Sequence, residues 1–267
     1  MHRENLFDVA YECLMAADPD TKIALTNACA QRWSAGELRA EPNAEAQPIS
    51  DPGRPARPRL VRPRDLARRK LTTRAGQGAL LHALCHIEFN AINLAWDAVY
   101  RFRDLPAEFY ADWIRVAVEE AYHFGLLREH LRELGYDYGD FDAHNGLWEM
   151  AVETAHDPLV RMALVPRVLE ARGLDVAPGI SDKLAACGDE RAVEILAIIQ
   201  RDEVGHVAIG SRWFNHLCAE RGVEPGPMFA GLVTQYMRGR VKGPFDHEAR
   251  RAAGFSADEL RYLETMG

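Results

Sequence analysis

Two copies of one short pattern, Glu-x-x-His, constrain this chain more than any other feature of its sequence. The first copy is Glu120-Ala-Tyr-His123 and the second is Glu203-Val-Gly-His206. A spacing of three residues places both side chains on one face of an α-helix, about one turn apart, so that carboxylate and imidazole can bind the same ion. One copy would mean little, but two copies on apolar helices predict a shared metal centre.

A lone glutamate precedes each copy at a similar distance. Glu88 lies 32 residues before Glu120, and Glu170 lies 33 residues before Glu203. A carboxylate on an apolar helix stripe needs a partner, because burying a lone charge is costly. The sequence therefore predicts two helical hairpins of matching design. Together they predict six metal ligands: Glu88, Glu120, His123, Glu170, Glu203 and His206.

Four carboxylates and two imidazoles that project inward from four helices are typical of ferritin-like di-iron and di-manganese proteins. Carboxylate oxygens with a minority of imidazole nitrogens suit Fe or Mn, and the absence of thiolates disfavours zinc and iron–sulfur sites. We therefore expect two metal ions, with Fe favoured and Mn or a mixed Mn/Fe pair as alternatives.

The predicted fold is all-α, a ferritin-like four-helix bundle over residues 73–220. Apolar stripes predict helices over about 75–102, 106–135, 158–173 and 189–219, with Pro166 kinking the third helix and Gly173 ending it. A loop with Pro178 and a short helix around Ser181–Cys187 are expected to lead to the fourth helix. The crossover over 135–157 joins the two hairpins. Short helices are expected in the C-terminal extension over 221–267, where Ser256–Glu259 has the form of a capping box.

Residues 1–72 are predicted to pack on this bundle. Two short helices are expected over 4–35, the second capped by Asp18. An extended strap rich in proline and arginine follows over 41–70, because proline at that density forbids a helix. We expect the strap to wrap the acidic bundle through ion pairs. An RNA or phosphate docking site is the alternative, although the strap lacks aromatic residues for base stacking.

Composition and charge narrow the class of protein. A hydrophobic fraction of 48% is ample for a buried core, and the net charge of -8 disfavours a generic nucleic-acid or anionic-membrane binder. The five cysteines are scattered, with no CxxC, which fits free thiols in a reducing cytoplasm. No signal peptide or long apolar run is found. We expect a cytoplasmic protein without a membrane partner. A homodimer is an open alternative to a monomer.

Other histidines and carboxylates offer competing interpretations. A third Glu-x-x-His, Glu153–His156, sits where a helix must end, so its histidine is expected to meet terminal carbonyls. His82 and His86 could form a separate metal pair, but we expect them to be core or outer-sphere residues. Metal-bound imidazoles usually donate to a carboxylate. We therefore predict that Asp202 accepts from His123 and that Glu119 accepts from His206, with salt bridges to surface arginines as the alternative.

Four phrases of the sequence resemble the uncharacterised bacterial ferritin-like family known as domain of unknown function 455. They are His82–Glu88, Glu119–His123, Arg161–Asp175 and Asp202–Val207, and the resemblance covers nearly the whole chain. It implies a ferritin-like fold and a di-metal site, and it does not supply a reaction. More distantly, the paired Glu-x-x-His helices look like those of rubrerythrins, ribonucleotide reductase small subunits and the tRNA-hydroxylating di-iron enzyme.

Three functions fit these features. The first is a di-metal oxidoreductase that activates O₂ or peroxide, with Glu120 and Glu203 bridging the ions and an external electron donor supplying reductant. Its small-molecule substrate is not identified by the sequence. The second is an iron-handling or storage protein, which the second Glu-x-x-His and the basic strap disfavour. The third is a helical protein that metal ions only stabilise.

Overall fold

The computed structural model of the chain describes residues 4–42, 44–237 and 241–266. These residues are overwhelmingly helical, which confirms the all-α prediction. The chain divides into two compact units, Met1–Val152 and Glu153–Gly267. The prediction of a single four-helix bundle over residues 73–220 stays a prediction.

The first unit is built around one long helical hairpin. Its two helices, α3 and α4, pack closely against each other, and α1 and α2 cover them. A short parallel bridge of β1 with β2 and a 3₁₀ turn at Pro63–Asp65 complete the unit. The elements are β1 (Glu4–Asn5), α1 (Leu6–Met15), α2 (Pro19–Ser34), β2 (Leu38–Arg39), α3 (Arg74–Arg101), α4 (Ala107–Glu133) and α5 (Gly146–Glu153).

Local capping fixes where the first helices begin. The Asp18 carboxylate accepts from the Thr21 amide at 2.8 Å, with Pro19 in the first turn, as the sequence predicts. The Thr73 hydroxyl accepts from the Gly76 amide at 3.1 Å and starts α3. The buried Lys22 ammonium donates to the carbonyls of Cys13 and Leu14, at the end of α1, both at 2.8 Å. It thereby satisfies carbonyls that have no partner within the helix.

The proline-rich strap packs on the first unit through its backbone as well as its charges. The Val61 amide donates to the Ala143 carbonyl at 2.8 Å, and the Ala143 amide donates to the Arg59 carbonyl at 3.0 Å. The Arg59 guanidinium also holds the Asp142 carboxylate at 2.6 Å. The predicted ion pairing is therefore present at Arg59, while Arg62 pairs within the strap, with Asp65 at 2.7 Å.

The second unit contains a long helix, α8, against which most of the other elements pack. A π-helix, Val165–Glu170, interrupts the first helical stretch of this unit. The α-helices are α6 (Pro158–Leu164), α7 (Ala171–Ala186), α8 (Glu190–Glu220), α9 (Pro225–Met237), α10 (His247–Ala252) and α11 (Ala257–Met266). The last three give the C-terminal extension its predicted short helices.

Two sequence predictions about this unit are wrong. Gly173 does not end a helix, and the segment around Pro178 is not a loop, because α7 runs through both to Ala186. Tertiary contacts support the helix there. Asp175 accepts from the Arg250 guanidinium at 2.7 and 2.9 Å and from the Asp246 amide at 2.9 Å. Such contacts can override the local preference of glycine and proline.

Within the described residues, no helix combines the length and apolar content needed to cross a bilayer.

Candidate metal centre

The hairpin of α3 and α4 brings three predicted ligands together. Glu88 lies on the buried face of α3, one turn after Cys85 and one turn before Ile92. Glu120 and His123 lie on the buried face of α4, between Val116 and Leu127. Glu120 and His123 are 0% exposed and Glu88 is 3% exposed, so all three polar groups are inside the protein.

One imidazole nitrogen lies close to both carboxylates. Nδ1 of His123 lies 3.3 Å from Oε2 of Glu88 and 3.4 Å from Oε2 of Glu120. Nδ1 and the two carboxylate oxygens therefore point to a common position. A single cation at that position would meet one nitrogen and two oxygens, a mixture that suits Fe or Mn.

The electrostatics of this group favour a positive charge. Burial by itself lowers the pKa of His123, but the hydrogen bonds and negative charges of Glu120 and Glu88 outweigh burial and raise it to about 11. The two carboxylates therefore favour a protonated imidazole in the metal-free protein. A metal ion would supply the positive charge instead, with the imidazole neutral.

The donors that the first unit brings together are two carboxylates and one imidazole, with no thiolate, and all three residues are buried. Glu88, Glu120 and His123 therefore could hold a metal ion of the oxygen-preferring class. Glu203 is a buried residue of α8 in the second unit. Its binding of the same ion stays a prediction.

Two further predicted ligands lie elsewhere in the second unit. His206, on α8, is 0% exposed, and its Nδ1 is 3.8 Å from Oε1 of Glu203, one turn earlier on the same helix. Glu170 is the last residue of the π-helix and is half-buried. The binding of a second ion by Glu170 and His206 stays a prediction.

The predicted outer-sphere carboxylates are both half-buried. Asp202 accepts two hydrogen bonds from the guanidinium of its neighbour Arg201, at 2.8 and 3.1 Å. This is the surface salt bridge that the sequence left as an alternative. The pairing of Asp202 with His123, and that of Glu119 with His206, stay predictions.

The competing histidines have contacts of their own. Nδ1 of His156 contacts the Glu153 carbonyl at 3.1 Å, and both residues are exposed, as expected for a histidine at a helix end. Nε2 of His82 accepts from the Gly139 amide at 2.9 Å, and His86 contacts the Tyr138 hydroxyl at 2.9 Å. Burial lowers the pKa of both His82 and His86 to about 4, as expected of neutral core residues.

Arg167 is a residue of this region that sequence reasoning does not single out. It lies in the π-helix three residues before Glu170, and its side chain is fully buried. The sequence could have pointed to Arg167 through its position inside the apolar run Met162–Leu169. Because a buried guanidinium needs a partner, a charged residue in such a run points to an ion pair.

Comparison with known proteins places the chain in a family. An uncharacterized protein of Haemophilus influenzae strain Rd is 51% identical over 216 residues, covering 78% of this chain and 75% of the relative. No solved structure matches the chain. Residues 15–261 match the family described as Protein of unknown function (DUF455). The chain therefore belongs to the DUF455 family, as its sequence phrases predict.

Proposed function

We propose that the chain is a ferritin-like di-metal oxidoreductase that uses O₂ or peroxide as its oxidant. In this proposal two ions, Fe or a mixture of Mn and Fe, are held by both Glu-x-x-His motifs and by the two lone glutamates. The proposed ligands are Glu88, Glu120, His123, Glu170, Glu203 and His206.

The observation that supports this proposal most strongly is the convergence of Glu88 and Glu120 on Nδ1 of His123. Two carboxylates that share one imidazole nitrogen inside a protein are costly to bury unless a cation offsets their charge. The donors suit metals that change oxidation state, since carboxylate and imidazole ligands are common to iron and manganese sites.

The protein's own contribution is a buried, negatively charged set of side chains beside an apolar helix interface. Phe89 follows Glu88 on α3 and Phe124 follows His123 on α4, and their ring centroids lie 5.5 Å apart. The helix interface next to these ligands is therefore apolar, which strengthens electrostatic interactions and excludes water. When bound, the two ions would supply one-electron redox chemistry and an open position for the oxidant.

The proposal requires partners that this chain does not contain. Its cysteines lack the CxxC spacing of an attached iron centre, so an external electron donor supplies the reductant. The organic substrate is a small molecule that enters the apolar bundle.

Metal analysis followed by an oxygen-uptake assay tests the proposal. We expect about two Fe or Mn ions per chain after loading with Fe(II) or Mn(II) under anaerobic conditions. The Fe(II)-loaded chain is then expected to consume O₂ in proportion to protein, without forming mineral. Folded protein that binds no metal, or iron that accumulates far beyond the ligand count, would contradict the proposal.

A matched pair of variants assigns the ions to the predicted ligands. Glu120→Gln keeps the side-chain volume and removes one buried ligand charge, so metal content should fall while helix content is retained. Glu153→Gln changes the glutamate of the exposed third Glu-x-x-His and should leave metal content unchanged. Equal metal content in both variants would mean that the ligands are wrong.

A further inference from the structure

The π-helix Val165–Glu170 is the most unusual backbone feature of the second unit. The Ala171 amide donates to the Pro166 carbonyl five residues earlier, the pattern that defines a π-helix. Pro166 has no amide hydrogen to give to the carbonyl four residues before it, so the α-helical ladder is broken at this point. The proline therefore makes the wider turn available, and contacts from outside the helix must select it.

The Arg167 guanidinium supplies such contacts on one side. Nε donates to the Ser211 hydroxyl of α8 at 3.1 Å, and Nη2 donates to Oε1 of Glu259 at 2.8 Å. The ion pair is buried, with side-chain exposures of 0% for Arg167 and 5% for Glu259. Three aromatic rings surround the guanidinium, with centroids 4.4 to 4.7 Å from its central carbon: Phe214, Phe229 and Phe255. Cation–π attraction adds to the ion pair.

The Glu259 carboxylate also caps the start of α11. Its Oε2 accepts from the Ser256 amide at 2.8 Å and from the Ser256 hydroxyl at 2.9 Å. The Glu259 amide donates to the Ser256 hydroxyl at 3.2 Å, which completes the predicted capping box. One carboxylate therefore caps the last helix with one oxygen and holds the π-helix with the other.

The π-helix also packs directly on α8 through Pro166. A Cβ atom at Gly210 would lie 2.4 Å from both Cβ and Cγ of Pro166. Only glycine allows this approach, so the backbone of α8 touches the proline ring. Pro166 and Arg167 are thus both fixed, a few residues before Glu170.

We infer that Arg167 and Glu259 are positioning residues: their buried ion pair fixes the π-helix and thereby sets the direction in which Glu170 offers its carboxylate. The inference rests on the proposed function only for the role of Glu170 as a ligand. The C-terminal extension, through Glu259 of α11, then becomes part of the metal centre's support. Removing a group that hydrogen-bonds a metal ligand typically changes metal affinity by about 10- to 100-fold, and this ion pair acts one step further away, through the π-helix.

Glu259→Gln and Ser256→Ala separate the ion pair from the cap. Glutamine can still cap a helix, so Glu259→Gln removes the charge opposite Arg167 and keeps the capping geometry. Ser256→Ala removes the cap and keeps the ion pair. Titration of the metal-free full chain with Co²⁺, followed by visible absorption, should show affinity about tenfold weaker for Glu259→Gln and nearly unchanged for Ser256→Ala.

Hydrogen exchange tests the same inference without any metal. In the metal-free chain, amides of residues 165–171 should exchange faster in Glu259→Gln than in the wild-type protein, and Ser256→Ala should not show this change. If Glu259→Gln does not fold, Ser211→Ala, which removes only the contact to Nε, should give a smaller change in the same direction. Unchanged exchange over 165–171 in the folded variants would overturn the inference.

The two readouts distinguish failure of the inference from failure of the proposed function. Wild-type protein that binds no Co²⁺, Fe²⁺ or Mn²⁺ contradicts the proposed metal centre, whatever the exchange rates show. Wild-type protein that binds metal as well as Glu259→Gln does, with equal exchange over 165–171, contradicts only the positioning role.

Discussion

Glu88 and His123 come from different helices of one hairpin, yet Oε2 of Glu88 lies 3.3 Å from Nδ1 of His123. Because Glu120 approaches the same nitrogen at 3.4 Å, one imidazole nitrogen faces two buried carboxylates. A proton on the imidazole offsets the negative charge of the carboxylates in the absence of metal, and a metal cation offsets this charge when it is bound. The stability of the chain should therefore depend on metal.

Metal loading should raise the thermal stability of the chain. A ligand that binds only the folded state adds about 4 kcal/mol at a free concentration 1,000 times its dissociation constant. Differential scanning calorimetry with and without Mn²⁺ should show the increase, and a chelator should reverse it. Glu88→Gln should remove most of the increment, while Glu149→Gln, at an exposed position of α5, should preserve it. An equal increment in both variants would refute the role of Glu88.

Breaking the buried ion pair of Arg250 and Asp175 should destabilise the second unit. Arg250 is 1% exposed, and its Nη2 lies 2.7 Å from the carboxylate of Asp175. Arg250→Met leaves a buried carboxylate without its main partner, which costs about 3–5 kcal/mol. Urea unfolding followed by circular dichroism measures the loss. Arg191→Met breaks an exposed pair with Glu194 and should change stability by less than about 1 kcal/mol. Similar losses in the two variants would contradict the prediction.

Two glycines of α8 should respond to alanine in opposite directions. Gly210→Ala brings a methyl group against Pro166 and should cost about 1–3 kcal/mol, because the π-helix must move. At Gly205 a Cβ atom meets nothing within 4 Å, so Gly205→Ala should add up to about 1 kcal/mol through its better helix propensity. Denaturant midpoints of the two variants test this difference in sign.

His82 should make the chain sensitive to mild acid. Its pKa falls from the ordinary 6.5 to about 4 in the folded protein, because burial disfavours the charged ring. Between these two values the unfolded chain binds a proton that the folded chain does not, so the free energy of unfolding decreases as the pH falls from 6.5 to 4. At full effect, the pKa difference corresponds to about 3 kcal/mol.

A non-titrating replacement isolates this contribution. His82→Gln offers an oxygen that can accept from the Gly139 amide in place of Nε2, and it cannot take up the proton. Urea unfolding at several pH values should show a shallower loss of stability in this variant below pH 6.5. Parallel curves for variant and wild type would show that His82 does not carry the effect.

The features that the sequence predicts well are local or periodic. Asp18 caps α2 because its carboxylate reaches an amide three residues away, and the spacing of Ser256 and Glu259 suffices to define a capping box. Glu88 and Glu120 stand on apolar stripes whose period places them inside the fold. Such relationships depend on a few neighbouring residues, so they can be predicted from the sequence alone.

The features that it misses depend on residues far apart in the chain. The helix through Gly173 and Pro178 is supported by Asp175, whose partners Asp246 and Arg250 lie more than seventy residues later. Pro166 predicts a break in the α-helix. Whether the helix kinks or forms a π-helix depends on contacts with α8, which the periodicity of the sequence does not reveal. The second role of Glu259 is hidden for the same reason, because its ion-pair partner belongs to another helix.

Anomalous scattering from a crystal of the metal-loaded chain, measured at the iron and manganese absorption edges, shows where the ions bind. We expect anomalous density within bonding distance of Glu88, Glu120 and His123. Density only at other residues, or none in protein that carries stoichiometric metal by elemental analysis, would contradict it.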